Sequence, residues 1–308
     1  MNPAAAAVVI GRNEGERLIR CLASLSGEAH PIVYVDSGST DGSVEAARAS
    51  GAVVVELDMS VPFTAARARN AGLAALGTDA PDLVQTVDGD CEMRPGWIAT
   101  AAEFLAAHPD VAAVAGRLRE RHPEATLWNR LADAEWAAEP GAAAAVGGRA
   151  LWRRGAVAAA GGYREDLLAG EAPELGLRMR RGGWTIWRLA DEMAWHDIAM
   201  TELSQWWRRM RRGGHAYAEG AALHGRGPER YRIGETRRAL LWGAALPLVA
   251  GLGALFITPW ALLLLLAWPV QILRLTLGGL PLYRAFFLTL GKLPEAQGAL
   301  GYLLRRGI

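Results

Sequence analysis

From Ala239 to Leu273 the chain carries no Asp, Glu, Lys, Arg or His. A stretch of that length has few folded destinations. As one continuous helix it would run roughly 50 Å, well beyond the ~30 Å hydrocarbon core of a bilayer. Pro247, Pro259 and Pro269 interrupt it, and Thr258-Pro259 is placed to break it into a hairpin. Two short spans, 239–256 and 259–274, are therefore expected, within a membrane-associated helical region covering 226–308. Arg226, Arg230, Arg232, Arg237 and Arg238 precede the spans; Arg274, Arg284, Lys292, Arg305 and Arg306 follow them. Basic residues on both flanks put both ends in the cytoplasm, which an even number of spans satisfies. The alternative is a buried or re-entrant hairpin that never crosses. Either way the region belongs at a membrane.

The rest of the chain is of another kind. A length of 308 residues suits one large domain, or a catalytic domain with an appendage. A hydrophobic fraction of 51% is enough to bury a sizeable core and excludes a disordered chain. The net charge of +1, from 33 basic and 32 acidic residues, argues against a nucleic-acid partner, which selects a strong basic excess. Lys292 is the only lysine, so the basic side is almost wholly arginine. Cys21 and Cys91 supply neither a disulfide framework nor a zinc-ligand cluster. The run from Met1 to Gly11 is apolar with no preceding positive charge, and reads as a buried first strand, not a signal peptide.

Residues 1–225 alternate short apolar runs with helix-like stretches. Ala4–Ile10, Pro31–Val35, Ala52–Glu56, Asp82–Val87 and Val111–Ala115 have the pattern of strands; Glu14–Leu25, Ser43–Ser50, Phe63–Leu76 and Pro95–Ala107 have that of helices. This alternation predicts an α/β domain with a mainly parallel sheet flanked by helices. Ligands of such sheets bind beyond the carboxyl ends of the strands, so chemistry is to be sought there.

The second strand ends in Asp36-Ser37-Gly38-Ser39-Thr40-Asp41-Gly42. Its small residues permit a tight turn, from which the Asp36 carboxylate can meet a ribose or base while Asp41 caps the next helix. An ordinary capped turn is the plainer reading. Glycine-rich phosphate cradles of the dinucleotide and P-loop types are missing. The fourth strand runs directly into Asp88-Gly89-Asp90. Two carboxylates around a glycine at a strand terminus can hold a hard cation, Mg²⁺ or Mn²⁺, and leave its other positions to phosphate oxygens and water.

Taken in order, these segments resemble family 2 glycosyltransferases of the GT-A type, which transfer sugars from nucleotide-diphosphate donors. Val8-Val9-Ile10-Gly11-Arg12-Asn13-Glu14 is similar to the family's opening strand. Tyr34 to Gly42 resembles its nucleotide-binding stretch, with Ser37 where a second Asp is usual. Ala66-Arg67-Ala68-Arg69-Asn70-Ala71-Gly72 resembles its Ala-Arg-Asn helix, and Asp88-Gly89-Asp90 its D-x-D metal motif. Gly147 to Arg154, with Gly161-Gly162-Tyr163, resembles its acceptor-side segment, Gly147 and Gly148 leading it. The likeness implies that Glu14, Asp36 and Asp88 face the nucleotide. Asp90 would bind the metal that bridges the diphosphate, and His196 would add a metal or diphosphate contact. A hydrogen-bonded loop histidine is the other reading of His196. Arg69 would sit near the diphosphate, where a planar guanidinium pairs well with phosphate oxygens; a solvated helix residue is its alternative.

Two departures matter. Inverting transfer to a hydroxyl needs a carboxylate to take its proton. The family's base is the Asp of a Glu-Asp pair opening a helix, but here Glu171 is followed by Ala172. Either Glu171 takes over, or Glu174 reaches in, or the chain is a catalytically degenerate nucleotide-sugar-binding or scaffolding protein. The bland reading of both acids is helix capping, since the helix dipole favours carboxylates in the first turn. Gln205-Trp206-Trp207-Arg208-Arg209 partly resembles the Q-x-x-R-W signature of processive synthases, with Arg209 where the Trp belongs. Gln205, Trp206 and Arg208 are therefore acceptor-side candidates, or parts of an amphipathic interfacial helix. The resemblance and the apolar stretch together imply a metal-dependent, inverting glycosyltransferase. Its acceptor would be a lipid-linked or saccharide molecule in cell-surface polysaccharide or glycolipid assembly. The expected location is the inner (plasma) membrane, with the catalytic domain, residues 1–225, in the cytoplasm.

Overall fold

A computed structural model describes residues 5–306, with the side chain of Arg306 excepted. Ala4, expected to open the first strand, lies outside that range, as do Met1 to Pro3. The described residues form two compact units, 5–167 with 171–200 and 168–170 with 201–306.

The N-terminal unit is built on one nine-stranded sheet. Its strands are β1 (Ala5–Gly11), β2 (Ala29–Asp36), β3 (Val53–Glu56), β4 (Leu83–Asp88), β5 (Cys91–Met93), β6 (Val111–Glu120), β7 (Gly141–Ala142), β8 (Ala150–Arg153) and β9 (Thr185–His196). They lie in the order β3-β2-β1-β4-β8-β6-β9-β5, with β7 paired to β9. The strands β3, β2, β1 and β4 are parallel, as the strand–helix alternation predicts. Beyond β4 the sheet mixes: β8 runs antiparallel to β4 and β6, while β6 and β9 are parallel. Seven helices pack around it: α1 (Glu16–Leu25), α2 (Ser43–Ala49), α3 (Ala65–Ala75), α4 (Trp97–Ala107), α5 (Leu127–Trp136), α6 (Arg154–Ala159) and α7 (Glu171–Arg181).

The core follows from the pattern. Residues Ala5 to Val9 of β1 are all fully buried, as a central parallel strand covered on both faces must be. Helix α1 turns Leu18, Cys21, Leu22 and Leu25 inward, the i, i+3, i+4, i+7 stripe of an amphipathic helix. Gly72 lets α3 lie on the sheet, because a Cβ there would come within 2.3 Å of Val8 Cγ1.

The register positions the chemistry. Gly11 pairs with Asp36, and Ile10 pairs with Asp88, so the carboxyl ends of β1, β2 and β4 finish at one edge. Strand β5 pairs antiparallel with β9, Cys91 opposite His196, which brings a residue more than a hundred positions later against Asp90.

The C-terminal unit is helical: α8 (Leu203–His224), α9 (Ile233–Leu240), α10 (Leu246–Phe256), α11 (Ala267–Leu277), α12 (Leu282–Leu290) and α13 (Lys292–Arg306). Ile233–Phe256 and Pro259–Leu277 are each long and apolar enough to cross a membrane. The break between them falls at Thr258, whose extended backbone and Oγ1 begin the next helix. The prolines leave their marks: a π turn at Leu241–Ala245 ends just before Pro247, and Pro259–Leu266 is wound as a 3-10 helix ahead of Pro269. A proline supplies no N–H and clashes with the carbonyl four residues back, so the winding shifts locally. Helices α8 and α13 meet backbone to backbone. A Cβ on Gly214 would lie 1.9 Å from Glu295 O, and one on Gly298 would lie 1.9 Å from Arg211 O.

Candidate active site

Three loops meet at the carboxyl edge of the parallel strands, and their own side chains hold them there. Asp36 is buried. Its Oδ1 accepts from Tyr34 Oη at 2.9 Å, and its Oδ2 accepts the backbone N–H groups of Gly38 and Ser39 at 2.8 Å each. The carboxylate therefore shapes the loop that follows β2. Asn13 sits in the left-handed region at φ 55°, which Asn tolerates better than other side chains. From there its Oδ1 accepts from Thr40 N, and its own N–H donates to Ser39 Oγ. The loops after β1 and β2 are thus cross-linked.

Glu14 follows, half-buried, with Arg17 Nη2 at 2.7 Å. Burial, then the negative charge of Asp90, push its carboxyl up to about 7, although Arg17 pulls the other way. A carboxyl that hovers near neutrality marks a place where acids crowd together.

Asp88 closes β4 and is clamped by two arginines. Arg69 Nη2 donates to its Oδ1 and Arg149 Nη1 to its Oδ2, both at 2.8 Å. Arg69 is nearly inaccessible and also donates, through Nη1, to Glu171 Oε1 at the start of α7. Burial alone would lower the affinity of Arg69 for its proton, but the charges of Asp88 and Glu171 outweigh it and raise the pKa. Gly148 makes room for this guanidinium: a Cβ there would stand 2.1 Å from Arg69 Nη2. Asn70 serves a different loop, donating to Tyr163 O and accepting from Tyr163 N. The Ala-Arg-Asn helix and the Gly-Gly-Tyr turn are one structural device.

Asp90 faces His196, with Oδ2 and Nε2 2.9 Å apart. Burial opposes ionisation of Asp90, but the positive character of His196 and its hydrogen bond prevail and lower the pKa. Trp136 packs on the imidazole at 4.5 Å between centroids. The remaining ring nitrogen, Nδ1, is buried with no hydrogen-bond partner. Asp90, Cys91 and His196 each place a ligand atom within 4.8 Å of the others. The chemistry of the set fits a divalent cation held by two of the three. Adjacent ligands of an octahedral ion with bonds of about 2.1 Å stand about 3 Å apart, the spacing of Oδ2 and Nε2. Burial raises the Cys91 thiol pKa well above its ordinary value, and a soft sulfur is the least suited of the three to a hard ion.

The acids of α7 differ from one another. Glu171 faces the arginine just described. Ala172, at the position where the family's base is expected, is fully buried in the core. Glu174 is also buried, and its carboxylate is gripped by Arg178 Nε and Nη2. Arg178 in turn donates to Ala160 O and Gly162 O, tying α7 to the glycine turn. This grip ties α7 to the glycine turn, while Glu171 reaches Arg69 and through it the Asp88 cluster.

The structure thus brings Glu14, Asp36, Arg69, Asp88, Asp90, Glu171 and His196 into the loops at one sheet edge, with Gly148 beneath Arg69 and Gly147 exposed beside it. Gln205, Trp206 and Arg208 belong to α8 in the C-terminal unit. Gln205 caps that helix, accepting from Thr201 N and Glu202 N. Trp206 is buried, with Phe287 of α12 edge-on at 5.3 Å. Arg208 is exposed. Sequence reasoning assigned no role to Arg149, Arg17 or Asn70. In a chain whose bases are nearly all arginine, neither Arg17 nor Arg149 stands out and only the fold selects them, whereas Asn70 lay within the Ala-Arg-Asn segment.

Residues 7–165 match the family model "Glycosyl transferase family 2". The chain belongs to glycosyl transferase family 2. It is a glycosyltransferase of GT-A fold, and its Asp88-Gly89-Asp90 sequence lies at the carboxyl end of β4. No curated protein matches the sequence. Among solved structures, a mannosyltransferase from Pyrobaculum calidifontis, determined with GDP-Man and Mn²⁺, is similar at 21% identity. Its TM-score is 0.67, covering 99% of this chain and 88% of the other. TarS 1-349 from S. aureus, determined with UDP-GlcNAc, is similar at 14% identity and TM-score 0.54, covering 98% and 92%. At these identities the likeness establishes the fold.

Proposed function

We propose that the enzyme transfers a glycosyl group from a nucleotide-diphosphate sugar, with a divalent cation, to a lipid-linked acceptor at the membrane. The observation that carries this reading is the placement of Asp90 against His196 beside an arginine-clamped Asp88. A half-buried carboxylate and a buried imidazole at the bite of one cation stand next to two guanidiniums that can meet phosphate oxygens. Asp90 and His196 would hold Mn²⁺ or Mg²⁺, with the nitrogen ligand favouring Mn²⁺. When bound, the ion supplies positive charge to the diphosphate leaving group.

The remaining roles fall to the chain's own residues. The loops set by Asp36 and Asn13 form the wall for the nucleoside, with Glu14 beneath them. Arg69 and Arg149 are counter-charges for the diphosphate, held in place by Asp88. Glu171 is the proton acceptor for an acceptor hydroxyl, and attack opposite the leaving group inverts the anomeric centre. For that step Arg69 must turn from Glu171 toward the phosphates, which would free the carboxylate as the donor binds. The apolar helices Ile233–Phe256 and Pro259–Leu277 support a lipid-linked acceptor, of the kind used in bacterial surface polysaccharide assembly, and an enzyme of the plasma membrane facing the cytoplasm. The functional division then follows the two units, donor chemistry in one and membrane attachment in the other.

Thermal unfolding with a panel of nucleotide sugars, with Mn²⁺ and with chelator, tests this. A cognate donor should raise the melting temperature only with the cation, and Asp90→Asn should abolish the rise. A donor-induced shift indifferent to chelator and to Asp90→Asn overturns the reading. One observation favours a second reading, a nucleotide-sugar-binding protein without turnover: the family's base position is Ala172, packed in the core. Cation-dependent donor binding, with no transfer to any lipid extract and no slow donor hydrolysis, would decide for it.

A further inference from the structure

The C-terminal unit contains a cavity of about 490 Å³ whose charged walls are all basic. Arg208, Arg211, Arg212 and His215 lie at i, i+3, i+4 and i+7 on α8, so one helix face delivers all four. Arg305, from α13, lines the same space, and Gly301 opens its wall. Among the described residues no Asp or Glu lines it. None of the four arginines forms an ion pair with a carboxylate among the described residues. Elsewhere the chain neutralises its arginines readily, as Arg17, Arg69, Arg119, Arg149 and Arg178 show. Four guanidiniums kept together without acids repel one another unless an anion joins them. The close glycine crossing of α8 and α13 fixes this cluster on two rigid helices rather than on loops.

We propose that this cavity is a binding site for a phosphate or diphosphate group, and that the ligand is the headgroup of an amphiphile. The guanidinium supplies paired donors that match phosphate oxygens, and several of them suit a group carrying about two charges. The same unit carries the two apolar helices of membrane-spanning length, whose leucines are largely exposed, so an acyl or isoprenoid chain has an apolar medium there. The inference rests on the reading of the protein as a membrane glycosyltransferase and deepens it: the acceptor carries its phosphate here, as a lipid phosphate or a lipid diphosphate.

The test uses the full chain with phosphatidylcholine vesicles containing phosphatidic acid, a phosphomonoester lipid. Parallel arms use phosphatidylserine at equal charge, and inorganic phosphate or pyrophosphate as competitors. Two variants separate pocket from charge. The first is Arg208→Gln with Arg211→Gln and Arg212→Gln. The second, Gly301→Phe, leaves every charge in place and fills the space, because a Cβ at Gly301 meets nothing within 4 Å.

Phosphatidic acid should bind more tightly than phosphatidylserine, and both variants should weaken it about tenfold or more. Competition by pyrophosphate would identify the headgroup as sufficient; its failure would assign the lipid chain an obligatory part, and both outcomes keep the site. Equal binding of the two lipids, or Gly301→Phe binding like the parent, would reduce the cavity to a solvated basic face and overturn the proposal. Cation-dependent donor stabilisation is measured on the same samples. If it persists while lipid phosphate binding is absent, this inference alone fails; if it is absent too, the glycosyltransferase reading falls with it.

Discussion

At the scale of single residues, the decisive contrast is between neighbours on α7. Glu171 points to Arg69 and the Asp88 cluster, whereas Ala172 is sealed in the core. Ala172→Asp therefore places a carboxylate among apolar side chains. It should cost about 2–4 kcal/mol of stability and give no gain in transfer. Glu171→Gln should fold normally and lose about 100-fold or more in turnover, measured with a cognate donor and acceptor. A large gain from Ala172→Asp would mean that the helix register, and with it the assignment of Glu171, is wrong. Glu14 makes a separate prediction through linkage. Its carboxyl is raised to about 7 in the folded chain, against 4.5 as the ordinary value. The folded state then binds more protons than the unfolded one between those two values, so stability from this group is full below pH 4.5 and is lost as pH rises through 7. Chemical denaturation of the metal-free protein at a series of pH values should show that decline, and Glu14→Gln should flatten it. An unchanged profile in Glu14→Gln would place the titration elsewhere.

At the scale of elements, tight helix contact in the C-terminal unit rests on glycines with no alternative. Gly298→Ala would put a methyl group 1.9 Å from Arg211 O and 2.8 Å from His215 N, forcing α8 and α13 apart. A loss of about 1–3 kcal/mol is expected. Gly301→Ala, on the same helix with open space around its Cβ, should be neutral or stabilising by up to about 1 kcal/mol, the helix preference of Ala over Gly. Thermal unfolding in detergent compares the two, and equal effects would refute the close crossing. The elements also mark how far the sequence could be read. The strands β1 to β4 and helices α1 to α4 fall within about two residues of the pattern in the chain, because each is a clean apolar or amphipathic run bounded by turn residues. In the mixed half of the sheet only the first part of β6, Val111–Ala115, was legible. Strand β9 alternates irregularly through Asp191 and Glu192, β5 and β7 are only three and two residues long, and their pairing is set by partners distant in sequence. The site was legible where motifs carry it, at Asp36, Asp88 and Asp90. The clamp of Arg149 on Asp88 depends on long-range register, which local pattern does not encode, whereas the Glu174–Arg178 pair is an i,i+4 contact within α7.

At the scale of the whole molecule, the question is how the apolar helices meet the bilayer. Ile233–Phe256 and Pro259–Leu277 are 24 and 19 residues long, about 36 Å and 28 Å at the α-helical rise, so each reaches across a ~30 Å core or nearly so. The 3-10 start of the second helix lengthens it further, since that winding rises about 2 Å per residue. Their outward side chains are apolar: Leu255, Phe256, Ile257 and Trp260 at the turn are each at least 73% exposed. In water such a surface would be a severe liability, whereas in lipid it is the favourable arrangement. If the two helices span, the arginines before the first and after the second predict both ends of the hairpin on one face and Thr258 on the other. Thr258→Cys makes this measurable. The native cysteines, Cys21 and Cys91, are buried with thiol pKa values raised by that burial, so they contribute little background to a thiol-reactive, membrane-impermeant label. In sealed vesicles the thiol introduced by Thr258→Cys should be reached only from the face opposite the two hairpin ends, while those of Arg230→Cys and Arg284→Cys should be reached from the other face. A re-entrant hairpin reverses the first result and not the second. Labelling of all three positions from one face would therefore exclude a true span and leave the helices dipping into a single leaflet.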